Sequence, residues 1–346
     1  MKCIRLYGPN DIRLEEIPIP SISENEVLLK TKAAAICGTD VRMLKNGQEG
    51  VDGDHPLILG HEFSGVIAKV GKNVPFYKEG MAVALQPNIG CGLCNACVSG
   101  AFHLCAAYQA FGINMDGAMA EYVRIPASAI LRGNLSVLPE GMDFAQAAVA
   151  EPISCAYNGF TKMNAKIGET AIVVGAGPIG ISHAQLLHLA GCRVLMCDLS
   201  ETRLQDCKRI MPYLTTTVSQ DMTRAVQDFT HGKGVDIAIV ACPVPSVQAA
   251  VLPLMNLGGR VNYFGGIPKQ HQPVAIDTNL IHYRELFVTG STRSSIRQYR
   301  DTLAMIAAGQ LDARSMITNR YPIGESITGF QNAAQALGLK HVILFD

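Results

Sequence analysis

The sequence lacks an excess of either charge: 29 basic residues stand against 29 acidic ones, and charged residues make up only 17% of the chain. A protein held to a polyanion by net charge shows a basic surplus, so nucleic acid and membrane surfaces are not expected partners. Long apolar runs are missing too. No stretch approaches the roughly 18 apolar residues of a membrane span, and the opening Met1-Lys2-Cys3-Ile4-Arg5-Leu6-Tyr7 has no apolar leader core. Internal repeats and low-complexity segments are also absent. The expectation is a soluble cytoplasmic protein.

What is present is length and cysteine. The 346 residues are about twice a usual domain of roughly 100–200 residues, which predicts two domains. Eleven cysteines would suggest a disulfide framework in a short secreted chain, but here spacing has to decide. Cys3, Cys37, Cys155, Cys192, Cys197, Cys207 and Cys242 are scattered singly among apolar residues, as small buried hydrophobes are. Cys91, Cys94, Cys97 and Cys105 instead form C-x2-C-x2-C-x7-C. Four thiolates so spaced suit a closed tetrahedral zinc with an architectural role; an iron–sulfur cluster is the competing reading.

The first 130 residues read as short strands, such as 27–32 and 66–70, bounded by Gly, Pro and Asn. That predicts a β-rich, barrel-like domain. From Thr170 onward, apolar runs at 171–174, 193–197, 235–240 and 258–266 alternate with helical stretches at 179–190, from Ser200 and from Ser246. Strands apolar on both faces and separated by helices predict a parallel sheet covered on both sides, spanning roughly 155–289. After 286–289 the sequence predicts one helix at 298–308 and a tail ending in a strand at 341–345.

Gly175, Gly177 and Gly180 form G-x-G-x-x-G between an apolar strand and a helix that opens with Pro178 and Ile179. In that context Gly175 permits a tight turn, Gly177 lets a pyrophosphate approach the backbone, and Gly180 lets helix and strand meet. Asp198, 18 residues beyond Gly180, is placed to accept hydrogen bonds from a ribose 2′-hydroxyl and to repel a 2′-phosphate, which predicts NAD over NADP. Arg203 is either a neighbour of the adenine or an exposed arginine on the first turn of a helix. Cys37, His61 and Glu62 are the ligand types of a catalytic zinc, with one position left open. Glu151, set in Ala147-Ala148-Val149-Ala150-Glu151-Pro152-Ile153, requires a partner that a metal would supply.

Cys37-Gly38-Thr39-Asp40, Gly60-His61-Glu62, the four-cysteine segment and Glu151-Pro152 occur in the order seen in zinc-containing medium-chain dehydrogenases, and the whole chain resembles their sorbitol (polyol) dehydrogenase branch. The resemblance implies a GroES-like catalytic domain over 1–154, completed by 290–346, and a Rossmann NAD-binding domain over 155–289. It implies catalytic zinc at Cys37, His61 and a carboxylate, Glu62 or Glu151. Charge neutrality favours one carboxylate at a time, with Glu151 the preferred ligand. The activity implied is oxidation of a secondary alcohol of a polyol, sugar alcohol or sugar-alcohol phosphate, with hydride passed to NAD+ and the proton leaving through Thr39. Arg293 lines up with an arginine that contacts substrate in sorbitol dehydrogenases, but Ser294 follows it where they carry tyrosine. Arg42 and Lys45 leave room for a phosphorylated substrate. Cys37-Gly38-Thr39-Asp40-Val41 also resembles threonine 3-dehydrogenase, in which histidine stands where this chain has Arg42. A dehydrogenase fold without catalysis is the third alternative. Relatives imply a homodimer or homotetramer.

Overall fold

In the computed structural model, residues 1–218, 220, 222–268 and 273–346 are described. The chain divides into two compact units: Met1–Glu151 with Ser294–Gly309 and Ala313–Asp346, and Pro152–Arg293 with Gln310–Asp312.

The first unit is built on a seven-stranded sheet. Strand Val27–Ala35 pairs antiparallel with Glu62–Val70 on one side and with Lys340–Leu344 on the other. Two strands from the C-terminal segment, Ile317–Pro322 and Lys340–Leu344, run parallel to each other in this sheet. Alternation along Val27–Ala35 puts Val27, Leu29, Thr31 and Ala33 out of solvent. The core around it includes Ile4, Leu6, Leu29, Phe63, Leu85 and Phe111, with Phe63 and Phe111 in edge-to-face contact at 5.6 Å.

The second unit holds a six-stranded parallel sheet. Its order is Thr215–Val218, Arg193–Asp198, Thr170–Val174, Val235–Val240, Met255–Tyr263, Phe287–Gly290. Numbered along the chain from Thr170–Val174, this is the 3-2-1-4-5-6 order of a doubly wound dinucleotide-binding sheet. Ile172, Val173, Ile237 and Ile239 are fully buried, which accounts for the unbroken apolar runs in the sequence. The expected α/β class, a GroES-like β-rich domain with a Rossmann sheet, is the class observed.

Three elements differ from the sequence expectation. Helix Phe144–Thr161 runs through Pro152, a residue that normally ends a helix because it has no N–H to donate and crowds the preceding turn. Burial of Ala145, Ala147, Ala148, Val149, Ala150 and Ile153 outweighs that local preference. The tail carries a second helix, Ser326–Ala334, besides the expected one, observed at Ile296–Ala307. Its short, mixed sequence gives only a weak helical period. Thr215–Val218 is a partly exposed edge strand without the apolar run of its neighbours.

Candidate active site and metal centres

Strand Val27–Ala35 runs into Ile36 and Cys37, the residue that caps helix Gly38–Asn46. Asp40, in the first turn, is fully buried and its Oδ2 accepts the Cys37 N–H at 2.8 Å, which fixes the turn that presents the thiol. Ala35 is in register with Glu62 on the neighbouring strand. Two adjacent strands thus bring Cys37, His61 and Glu62 together, and their ligand atoms all lie within 4.8 Å of one another.

Three buried polar atoms in this cluster have no hydrogen-bond partner: Glu62 Oε1, His61 Nδ1 and Asp40 Oδ1. Buried polar groups are ordinarily satisfied, so this concentration marks a place built for a cation. Asp40 Oδ1 stands 3.6 Å from His61 Nδ1, the relation of a carboxylate behind a ligating imidazole. Burial works against a protonated His61, yet Cys37, Asp40 and Glu151 together hold its pKa well above the usual histidine range. A field that anionic suits a divalent metal. Burial pushes the Asp40 carboxyl above the usual carboxylate range, with His61 opposing.

Glu62 Oε2 pairs with the ammonium of Lys340, both side chains being almost fully buried; Lys340 also donates to Ile36 O at 3.3 Å. Burial alone would lower the Lys340 pKa, but Glu62 and Cys37 keep it raised. Sequence reasoning missed Lys340: it lies 278 residues from Glu62, and only the pairing of Lys340–Leu344 with Val27–Ala35 brings it there.

Glu151 does not join the three-ligand group. It sits 6% exposed on helix Phe144–Thr161, near enough for its charge to raise the pKa of His61 and Lys340. Ser64 Oγ donates to Phe144 O at 2.6 Å, tying the start of that helix to the strand that carries Glu62. Thr39 is half-buried in the first turn after Cys37. Arg42 is exposed, and Lys45 donates to Ala334 O at 3.4 Å.

The second cluster in this unit is Cys91, Cys94, Cys97 and Cys105, again with all ligand atoms within 4.8 Å. Backbone N–H groups of Leu93 and Cys94 donate to Cys91 Sγ at 3.4 Å each, and Cys91 N donates to Cys105 Sγ at 3.3 Å. The first two bonds lower the Cys91 thiol to about 6, whereas burial pushes the Cys97 thiol up to about 12, so backbone donors favour thiolate at Cys91 and a metal would have to do so at Cys97. All eleven cysteines are free of disulfides. With four sulfurs facing inward, the cluster offers a metal no open position.

In the other unit, the glycine turn follows strand Thr170–Val174. Gly175 has φ +110, Gly177 caps helix Pro178–Leu189 with Pro178 in its first turn, and Ile179 follows half-buried. A Cβ on Gly180 would lie 1.7 Å from Gly175 O, whereas one on Gly177 would meet nothing within 4 Å. The surface above Gly177 is therefore open to a ligand. Asp198 ends its strand with Oδ2 accepting from Ala176 N at 2.6 Å and Oδ1 from Ser200 N at 2.8 Å, which locks the carboxylate beside the turn. Arg203 is half-buried, its N–H directed to the Ser200 cap at 3.4 Å. Arg293 adopts a left-handed backbone, φ +55.

Residues 23–135 match the alcohol dehydrogenase GroES-like domain, and residues 178–308 match the zinc-binding dehydrogenase domain. The chain is 34% identical over 323 residues to L-threonine 3-dehydrogenase of Bacillus subtilis, covering 92% of this chain and 90% of that protein. The chain belongs to the zinc-dependent medium-chain dehydrogenases. This dehydrogenase is also similar to sorbitol dehydrogenase of B. subtilis, 27% identical over 339 residues, 97% of this chain and 94% of that one. Among solved structures it resembles an Escherichia coli alcohol dehydrogenase crystallised with NADH, with TM-score 0.89, 25% identity, and coverage of 100% of this chain and 99% of that chain. It is thus an oxidoreductase of the zinc alcohol dehydrogenase type, and zinc and a nicotinamide dinucleotide are its cofactors.

Proposed function

We propose that this dehydrogenase oxidises a secondary alcohol on a polyol, sugar alcohol or sugar-alcohol phosphate and reduces NAD+. The observation that carries the reading is the Cys37–His61–Glu62 cluster with its orphaned Glu62 Oε1. When bound, zinc polarises the alcohol oxygen and the nicotinamide accepts the hydride, giving ketone, NADH and a proton.

The chain's residues serve the rest. Cys37 and His61 hold the metal, with Glu62 and Glu151 as its two candidate carboxylates. Cys37, Glu62 and Glu151 bring three negative charges and Asp40 lies behind His61; Zn2+ and Lys340 bring three positive. Lys340 thereby offsets one of the two carboxylates and weakens the charge objection to both at one metal. The Thr39 hydroxyl takes the alcohol proton and passes it outward, since a hydroxyl both donates and accepts. Asp198 selects NAD over NADP, Gly175, Gly177, Pro178, Ile179 and Gly180 cradle the pyrophosphate, Arg203 borders the adenine, and Arg293 contacts substrate. Cys91, Cys94, Cys97 and Cys105 hold the second, structural zinc.

L-threonine is the second reading. It is favoured by the higher identity to L-threonine 3-dehydrogenase, 34%, than to sorbitol dehydrogenase, 27%; Arg42, where threonine dehydrogenases carry histidine, stands against it. NADH formation with sorbitol, xylitol, galactitol, their phosphates and L-threonine tests both. Turnover of threonine alone would replace the polyol reading, and a higher kcat/KM for a free polyol than for its phosphate would remove the phosphate. A homodimer or homotetramer in the cytoplasm completes the proposal; no helix among the described residues is long and apolar enough to cross a membrane.

A further inference from the structure

Strand Phe287–Gly290 leads into the segment that carries Arg293, and side chains of two neighbouring elements grip that segment residue by residue. Lys162 Nζ donates to Gly290 O at 3.0 Å. Ser291 Oγ donates to Asn262 Oδ1 at 2.9 Å. Asn158 Nδ2 then donates to two successive carbonyls, Thr292 O at 3.2 Å and Arg293 O at 3.0 Å. Asn158 lies in the last turn of helix Phe144–Thr161 and Lys162 directly follows its end, so the C-terminal end of one helix holds both ends of the segment.

Two features show that the grip is specific. Asn158 is 5% exposed, so its amide is committed to these carbonyls and not shared with bulk water. Its neighbour Gly159 brings the helix close: a Cβ there would come within 2.8 Å of Ser291 Oγ and of the His183 ring. At the end of the gripped segment, Arg293 has φ +55. A left-handed backbone is uncommon for a residue with a side chain and persists where the surroundings over-determine it. The paired Asn158 bonds are such a determinant, because they fix the carbonyls on both sides of the Arg293 φ rotation.

We propose that Asn158 is a positioning residue for substrate recognition: by holding Thr292 O and Arg293 O it sets the backbone of Arg293, and with it the direction in which the guanidinium leaves the chain. This rests on the reading of Arg293 as the substrate contact. Asn158 touches neither substrate nor cofactor in this role. Removing it loosens the aim of Arg293 and weakens substrate binding, with chemistry at the bound alcohol left intact.

The test is a double-mutant cycle of Asn158→Ala and Arg293→Ala, with KM and kcat measured for whichever of sorbitol and L-threonine forms NADH, and crystal structures of the wild type and Asn158→Ala. Asn158→Ala is expected to raise the substrate KM about tenfold, the worth of a pair of modest hydrogen bonds, with kcat and the KM for NAD+ within about twofold. The double variant is expected to match Arg293→Ala alone, since a residue acting only through another has nothing left to position. In the Asn158→Ala crystal, Arg293 should leave the left-handed region. Should Asn158→Ala not fold, Asn158→Ser, which keeps a shorter donor, takes its place in the cycle. Additive effects on KM, or retention of φ near its wild-type value in the crystal, would overturn the proposal. An Arg293→Ala variant with unchanged KM would instead overturn the substrate reading of Arg293, while the crystal comparison, which needs no turnover, still reports on the clamp.

Discussion

The two metal-ligand clusters of the first unit are assembled in opposite ways. The four cysteines come from one loop between Cys91 and Cys105, and the loop's own N–H groups supply the sulfur contacts. The Cys37–His61–Glu62 cluster draws on two strands, and its supporting charges come from Asp40 and from Lys340, 278 residues away from Glu62. A site made by one loop is closed, complete in its ligands and independent of the sheet. A site made by the sheet gathers three ligands and a set of buried charges, and it depends on strands that meet only after folding. The first kind suits a structural metal and the second a catalytic one.

Breaking the catalytic cluster should have the largest effect on activity. Cys37→Ser or His61→Gln is expected to lower kcat/KM by about a thousandfold or more, the equivalent of roughly 4 kcal/mol of lost transition-state stabilisation, and to reduce metal content from two zincs to one with little change in melting temperature. Cys94→Ser should do the reverse: melting temperature falls, and molecules that remain folded keep their turnover number. If both variants lost activity and stability in proportion, the division of labour would be wrong.

Lys340→Met sharpens the contrast, because Lys340 pairs with a ligand carboxylate, whereas the cation at the cysteine loop, Arg132, donates to the Cys91 backbone carbonyl. It leaves Glu62 buried without its partner, which costs about 3–5 kcal/mol in the metal-free protein. In the metal-loaded enzyme it is expected to lower kcat/KM by roughly 10–100-fold, as loss of a residue behind a metal ligand does. Unfolding of both forms, together with steady-state kinetics, checks this.

Graded chelation is the next test. A chelator should remove the metal at the open cluster first, abolishing turnover while one zinc per chain remains. Release of both metals in step would contradict the difference in closure. The smallest effect belongs to the other unit: Asp198→Ala is expected to relax the preference for NAD+ over NADP+ by about tenfold, the order of one charged hydrogen bond lost, with both metals retained.

The same contrast explains what could be read in the sequence. The cysteine loop was legible because its ligands share a short segment with a recognisable spacing, and the glycine turn because strand, turn and helix are contiguous. Cys37, His61 and Glu62 were visible as ligand types, but not Lys340 or the part played by Asp40, whose meaning appears only when Lys340–Leu344 pairs with Val27–Ala35. Helix Phe144–Thr161 was hidden by Pro152, a local signal that tertiary burial overrides. Asn158 gave no signal at all, since an asparagine's partners are chosen by the fold.

The most direct test of the account is zinc per chain measured together with NADH formation, on protein purified without chelator and assayed with the polyols, their phosphates and L-threonine. The account predicts two zincs per chain and turnover of a polyol or its phosphate with NAD+. One zinc, held by the four cysteines, and no turnover of any of these compounds would contradict it.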